Sequence, residues 1–399
     1  MIRRYFIYLS VLITALAFFQ SIATAQSMGS AGTISGTVTD SNKAVIPGAV
    51  VSIENAVTGF SRSFTTGTDG VFRFNDVPPN TYTLTVQAEG FAGYRQPLNV
   101  RTSVPVTLTV ELTVGEAAAS VTISSGEALD NVPTAHTDVD KTLIDRLPVR
   151  SPGSGLSDIV TLSSPGVVAD SNGFMHPLGD HAQTSFVIDN QQISDQQSKA
   201  FSTQLPPEAI QSMQVTTGAT PAWYGDKDSL VVDVITRSGM GQNKPTGSFN
   251  TTYGTFGTVA QNATFAYGGK HAGNFVTIDF DRSGRFLDAP EFVVIHDRGT
   301  AANIFDRFDY SPNAKDTFHL NLSLARNNFQ IPNTFDQQSL GQDQHQLVRS
   351  LNIAPGLVHI FSPTTVLTIS PYFRMDQVRY FPSANPFSDE TTTINQNGG

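Results

Sequence analysis

The residues best suited to chemistry in this 399-residue chain are few, and their spacing is poor for it. His176 and His181 flank Asp180, a set that can in principle bind a divalent cation, but a Gly- and Pro-containing stretch is a weak frame for a metal and solvated loop histidines are expected. Asp138 with Asp140, and Asp226 with Asp228, are the carboxylate pairs that general acid–base catalysis would need, and both lie in sequence that reads as loop, where charge is solvated. No His-Glu-x-x-His, no Gly-x-Ser-x-Gly and no phosphate-binding loop occurs. There is no cysteine, so disulfides, thiolate metal sites and a thiol nucleophile are excluded. An enzyme is therefore not expected, nor a cofactor or metal.

The elements that could position any site begin after an export signal. Residues 1–25 carry Arg3 and Arg4, an apolar stretch from Tyr5 to Phe19, and Ala23-Thr24-Ala25 as a small-x-small cleavage site. The apolar core is shorter than the roughly 20 residues a spanning helix needs. Formal net charge is −10, and loss of the two arginines with the signal makes the remainder more acidic still. Nucleic acid, which calls for a basic face, is excluded as a partner. A charged fraction of 15% with 27 Phe and 32 Gly suits short strands and turns, so the chain is expected to be mainly β.

Residues 31–113 alternate over short runs between turn signals every eight to twelve residues, the pattern of a β-sandwich of about seven strands. Ile34-x-Gly36-x-Val38, Asp40, Pro47-Gly48-Ala49-x-Val51, Thr68-Asp69-Gly70-x-Phe72-x-Phe74, Pro78-Pro79-x-x-Tyr82 and Gly90-Phe91 resemble the carboxypeptidase regulatory-like domain, of carbohydrate-binding-like fold. The region has no His, so the resemblance brings no peptidase with it. Phe60, Phe91 and Tyr94 are the aromatics that could stack a sugar ring, against the commoner use of Phe as core.

Residues 114–130 are small and polar and read as a linker with one extended segment, Ser120-Val121-Thr122-Ile123-Ser124. From 131 to 240 helical and extended patterns interleave, predicting an α+β domain. Leu143, Ile144, Leu147 and then Leu156, Ile159, Val160 have helical spacing. Ser185–Ile188 reads as a strand entering an Asp189-Asn190 turn; Pro207 and Glu208 open a helical turn with Ala209, Ile210 and Met213 on one face; Leu230 to Thr236 reads as a strand.

Leu147-Pro148, Pro165-Gly166-Val167, Phe186-x-Ile188-Asp189, Leu205-Pro206-x-Glu208-x-Ile210, Gln214-Val215, Gly218, Tyr224-Gly225 and Val234-x-Thr236 resemble, in order and spacing, the plug domain of TonB-dependent outer-membrane receptors of the Oar-like kind. That family usually has Asp-Gly where this chain has Asp189-Asn190, and a Gly-Gly pair where it has Asp226-Lys227-Asp228-Ser229-Leu230. Asn tolerates positive φ and can keep the first turn.

From 245 to 399 strand follows turn. Val276, Ile278 and Phe280 alternate with Thr277, Asp279 and Asp281, and Phe318, Leu320, Leu322 and Leu324 with His319, Asn321 and Ser323. Lipid outside and water inside a transmembrane β-barrel require this alternation; a soluble antiparallel sheet lying on a core gives the same period. Tyr253, Tyr267, Tyr310, Tyr372 and Tyr380 add the aromatics of a membrane interface. Six to eight strands fit, against about 22 in plugged transporters, so the chain is expected to be the N-terminal part of a longer protein.

The resemblance implies an outer-membrane receptor, its sandwich and plug on the periplasmic side, that takes up an extracellular small ligand such as an oligosaccharide or metal chelate. It implies contact with TonB, powered through ExbB and ExbD, and with outer-membrane lipid. The plug motif residues are then Asp189, Asn190, Tyr224 and Gly225, and Ser120–Ser124 is the candidate TonB-contact segment, suited to β-strand addition. The alternative is an outer-membrane-anchored carbohydrate-binding or adhesion protein.

Overall fold

The computed structural model describes residues 32–55, 61–77, 80–100, 106–115, 136–147, 155–169, 175–177, 184–193, 203, 205–218, 229–241 and 244–384 other than 270, 314, 363 and 364. The export signal, Ser120–Ser124, Phe60, Asp180, His181, Tyr224, Gly225, Asp226 and Asp228 lie outside these residues.

The first unit is a seven-stranded sandwich: β1 (Gly32–Asp40), β2 (Val50–Glu54), β3 (Ser61–Thr65), β4 (Val71–Val77), β5 (Asn80–Gln87), β6 (Tyr94–Val100) and β7 (Val106–Leu112). One sheet has the order β4-β1-β7, with β1 and β7 parallel, and the other β3-β2-β5-β6. Alternation places Ile34 and Val38 on the inner face, where Val51, Ile53, Phe72, Leu84 and Val86 meet them with no exposed surface. Gly36 is required by packing, because a Cβ there would sit 2.5 Å from the Leu108 carbonyl oxygen and from the Phe72 ring. Phe91 and Tyr94 pack against the same core, half-buried, so neither offers a bare stacking face.

The second unit contains β8 (His136–Asp140), α1 (Lys141–Ile144), α2 (Gly155–Ser163), β9 (Val167–Ala169), β10 (Met175–Pro177), β11 (Thr184–Ile188), β12 (Gln191–Ile193), β13 (Ile210–Thr217) and β14 (Leu230–Thr236). Its main sheet has the order β12-β11-β14-β13-β8, with β11 and β14 parallel. Val232 and Val234 are buried in the larger core with Leu156, Ile159 and Val160 of α2. On the other side Val187 and Val231 form a small cluster of their own, so β14 is covered on both faces.

Three expectations are corrected here. The helical turn at Pro207 ends after one 3-10 turn, Pro207–Ala209, and Ile210 to Met213 belong to a strand. A register shift between Ile210 and Ser212 breaks the two-residue period, which is why the spacing of Ala209, Ile210 and Met213 imitates a helix. Asp138 and Asp140 are not in a loop: both lie on β8, where Asp138 accepts from Gln214 Nε2 at 2.9 Å and Asp140 caps α1 by accepting from Leu143 N at 2.8 Å. His176 likewise lies on a strand, opposite Val168, half-buried rather than solvated.

The third unit is a meander: β15 (Thr246–Tyr253), β16 (Val259–Gly268), β17 (Ala272–Ser283), β18 (Gly299–Tyr310), β19 (Asp316–Gln330), then α3 (Phe335–Ser339), β20 (His345–Ser362), β21 (Thr365–Ile369) and β22 (Phe373–Phe381). Neighbouring strands are antiparallel, and the long β20 pairs with β21 near one end and β22 near the other. The two faces are inverted relative to a soluble sheet. On β17, Thr277 is 0% and Asp279 8% exposed, while Ile278 is 51% and Phe280 40% exposed. On β19, Asn321 is 3% exposed while Leu324 is 52% exposed. The central unit covers the polar face, and Phe275 and Phe305 on that face join its core. Connections at one end are short, residues 269–271 and 311–315; at the other, residues 254–258 make a short turn and residues 284–298 and 331–344 make two long loops.

Candidate functional site at the buried face of the sheet

The strongest concentration of buried charge lies where the central unit meets the sheet. Asp189 and Asn190 form a two-residue hairpin turn between β11 and β12, with φ of 45° and 70°. Positive φ at both positions defines the turn type that matches strand twist, and Asp and Asn are among the few side chains that accept it. The turn carries the Asp189 carboxylate to the end of β14. There it accepts from Thr236 N at 3.0 Å and Thr236 Oγ1 at 2.5 Å.

The sheet supplies the counter-charge. Arg307 and Asp309 are two apart on β18 and therefore share its inner face, and Asn321 is Arg307's register partner on β19. Arg307 Nη1 reaches Asp189 Oδ1 at 3.4 Å and donates to the Thr236 carbonyl at 3.0 Å. Its Nε and Nη2 bind Asp309 at 3.0 and 2.9 Å. Asn321 Nδ2 donates to Asp189 Oδ2 at 2.6 Å, and Ser238 Oγ donates to Asp309 Oδ2 at 2.6 Å. The side chains of Asp189, Arg307 and Asp309 are 6%, 5% and 2% exposed. Burial pushes the Asp189 carboxyl up, but the charges of Arg307 and His319 and the hydrogen bonds from Thr236 outweigh it and hold it below the usual carboxylate range.

A second clasp joins the same elements. Gln191 and Asn352 exchange two amide hydrogen bonds, at 2.7 and 2.8 Å, between β12 and β20. The chain leaving the knot after β14 runs through Arg237-Ser238-Gly239, and Arg237 lies over the Phe275 ring at 4.5 Å. A side chain at Gly239 would overlap the backbone of Asn274, so this connection can lie against β17 only as glycine. The arrangement is a dock: two charges of one sign and one of the other, buried, paired with each other and divided between two units. Among the described residues no group of three or more His, Cys, Asp or Glu is placed to hold a metal.

Asp189 and Asn190 are legible as a turn from sequence, Thr236 only as part of the plug motif and Asn321 only as a polar position on a strand, while Arg307 and Asp309 carry no motif. The available signal was an Arg and an Asp at i and i+2 in "FDRFDY", on the opposite face of the strand from Ile304, Phe308 and Tyr310. That the Arg meets a carboxylate 118 residues earlier is not written locally.

Comparison with known proteins follows the same division. The family model of the carboxypeptidase regulatory-like domain matches residues 33–113. The TonB-dependent transporter Oar of Myxococcus xanthus is 26% identical over 260 residues, covering 61% of this chain and 24% of its own length. The chain thus spans about a quarter of the length of that relative. Among solved structures, FpvA of Pseudomonas aeruginosa, bound to a heterologous pyoverdine with iron, is similar at 13% identity over 68% of this chain and 40% of its own, with a TM-score of 0.49. The ferric-catecholate import receptor Fiu of E. coli K12 is similar at 12% identity over 64% and 42%, with a TM-score of 0.46. At these levels the structural likenesses bear on neither cargo nor residue roles. Residues 33–113 match the carboxypeptidase regulatory-like family, and over 61% of its length the chain is similar to the TonB-dependent transporter Oar.

Proposed function

We propose that this chain forms the gate and part of the wall of a TonB-dependent outer-membrane receptor that takes up an extracellular ligand. The observation that carries the reading is the buried Asp189–Arg307–Asp309 knot, which fastens a compact α+β unit to the polar face of a sheet whose other face is bare and apolar. In water that apolar face would be far larger than a soluble monomer tolerates; in lipid it costs nothing, and the polar face then lines a lumen that the α+β unit plugs.

Short connections on one side, against two long loops beside the turn at 254–258 on the other, fit the periplasmic and extracellular ends of such a wall. The sandwich lies at the short-connection end, where Arg73 Nη2 donates to Thr317 Oγ1 at 3.2 Å, which supports a periplasmic position for it. The outer membrane has no ATP, so opening the gate needs a partner fixed to the inner membrane: TonB, with ExbB and ExbD. Ser120–Ser124, between sandwich and plug in sequence, is the segment assigned to pair with TonB by strand addition. Oligosaccharide, metal chelate and peptide are the ligand classes in reach.

The gate reading is tested by permeability. Arg307→Ala leaves Asp189 and Asp309 buried without their counter-charge, and cells carrying a receptor with this change are expected to admit large antibiotics that the native receptor excludes. Unchanged exclusion together with unchanged ligand uptake would show that the knot does not hold a gate. Deleting residues 119–125 is expected to abolish energised uptake while ligand binding at the cell surface persists; undiminished uptake would remove the TonB assignment.

A further inference from the structure

The two long loops make one ordered surface. Residue 335 opens α3, where Thr334 accepts from Gln337 N and Gln337 returns the bond to Thr334 N, a complete capping box. Phe335 N donates to Glu291 Oε1 at 3.2 Å, and Asn333 N to the Ile295 carbonyl at 3.1 Å, so the loop at 331–344 is tied to the loop at 284–298. His296 adds a third tie, with Nδ1 2.8 Å from the Ile331 carbonyl and Nε2 2.6 Å from Asp343 Oδ1. Phe286, Phe329 and Val348 form a small core beneath them.

On this framework large apolar side chains point away from the protein. Phe292 is fully exposed at 108%, and Val293, Phe335 and Leu340 are each more than half exposed. They lie beyond the ends of the strands, not on the lipid-facing band, so lipid contact does not account for them. Their surroundings are acidic. The two loops hold Asp288, Glu291, Asp297, Asp336 and Asp343 against Arg285 and Arg298. The surface also shows how it receives a cation, because Arg285 of the chain itself lies over the Phe256 ring at 5.6 Å and pairs with Asp288 at 3.3 Å. An anionic ligand would meet an excess of carboxylates there.

We propose that this platform is the receptor's outer capture site and that its ligand is a cationic amphipathic peptide, with apolar side chains seated on Phe292, Val293, Phe335 and Leu340 and basic groups facing Glu291, Asp336 and Asp343, while Asp288 keeps Arg285. Apolar contact supplies affinity, and the acidic rim selects sign and speeds encounter. The assignment rests on the loops facing outward, as in the receptor reading, but needs no TonB and no open gate.

The test is binding by the full receptor in detergent micelles or lipid discs, without TonB. The probe is a synthetic peptide of alternating Lys-Lys and Phe-Leu pairs, compared with its Glu-for-Lys and Ser-for-Phe/Leu counterparts. The first peptide is expected to bind and the other two to bind at least tenfold more weakly, roughly the worth of one buried aromatic side chain. Phe292→Ser, a fully exposed position whose change leaves the fold intact, is expected to weaken the first peptide about tenfold. Glu291→Gln with Asp343→Asn keeps both loop ties as acceptors, and is expected to weaken it and flatten its salt dependence.

Hydrogen exchange on the native protein gives a readout free of variants: residues 288–295 and 335–341 should gain protection when the first peptide is added. Equal binding of the Glu peptide, indifference to Phe292→Ser, or protection elsewhere only would each overturn the proposal. Loss of binding with TonB-dependent uptake intact would count against the capture site alone. Binding intact with uptake independent of TonB would count against the receptor reading alone.

Discussion

The sandwich and the meander are both built from strands whose side chains alternate in polarity, and they use the alternation in opposite senses. In the sandwich Ile34, Val38 and Phe72 go inward and Ser35, Thr37 and Arg73 outward. In the meander Thr277, Asp279 and Asn321 are buried while Ile278, Phe280 and Leu324 are bare. A period of two establishes that a strand has two unlike faces; it does not say which one is dry. What decides is the partner of each face. The sandwich's apolar faces find each other, whereas the meander's polar face finds an α+β unit carrying Asp189 and Gln191, and its apolar face is left for lipid.

Truncation in the two cores should therefore differ most. Phe72→Ala, with no exposed surface to begin with, is expected to cost the sandwich about 3–5 kcal/mol, seen as a lowered unfolding midpoint of that unit by hydrogen exchange. Phe280→Ala, on the bare face of β17, should leave the sheet's stability in micelles nearly unchanged. A comparable loss at both positions would mean that the meander buries its apolar face after all.

Charge placement sharpens the contrast at a smaller scale. Ile278→Arg is expected to reduce the stability of the membrane-inserted protein by roughly 2–4 kcal/mol, the price of a cation facing the middle of a bilayer, as read by denaturant titration in lipid. At Thr277 the same substitution is expected to disturb docking of the central unit instead. A lumen-facing Ile278 would reverse the two results.

The knot gives the next smaller effect. Asp189→Asn keeps a residue that tolerates the turn's positive φ but removes the charge that Arg307 faces, and should weaken docking by about 1–3 kcal/mol, measured by protection of β11 from exchange. The pH dependence has a fixed sign. Because the Asp189 carboxyl titrates below its unfolded value, its contribution is present above the ordinary carboxylate range and lost only as pH falls through the lower, docked value. Docking should therefore be flat between about pH 6 and 8 and weaken only in acid; weakening near neutrality would place the titration on another group.

Much of this architecture was legible because it is local. Thr68-Asp69-Gly70-x-Phe72-x-Phe74 announces a tight turn, and Gly70 has a φ of 64°, but the turn joins β3 to β4 across the two sheets and is not the hairpin that Asp69-Gly70 suggests. Leu156, Ile159 and Val160 announce the one face of α2. Sequence misled where a strand loses its period. Residues Ile210 to Thr217 are covered on both sides and carry a bulge, so burial falls on Ile210, Ser212, Met213, Val215 and Thr216, closer to a helical rhythm than to alternation. Asp138 and Asp140 flank a single buried apolar residue, Val139, on an edge strand, too little for any pattern. The docking site was only half legible for a different reason: Asp189's turn is encoded by its neighbours, but Arg307 and Asn321 reach it only once the strands of the meander have been set in register.

The central claim is that the bare apolar face of the meander meets lipid, and a chain without cysteine allows it to be tested one residue at a time. A spin label at Ile278→Cys, and separately at Thr277→Cys, would be read in lipid vesicles for collisions with oxygen, which concentrates in the bilayer, and with a water-soluble nickel chelate. The account predicts strong oxygen collisions and weak nickel collisions at position 278, with oxygen access lost at 277. Strong nickel and weak oxygen collisions at 278 would contradict it.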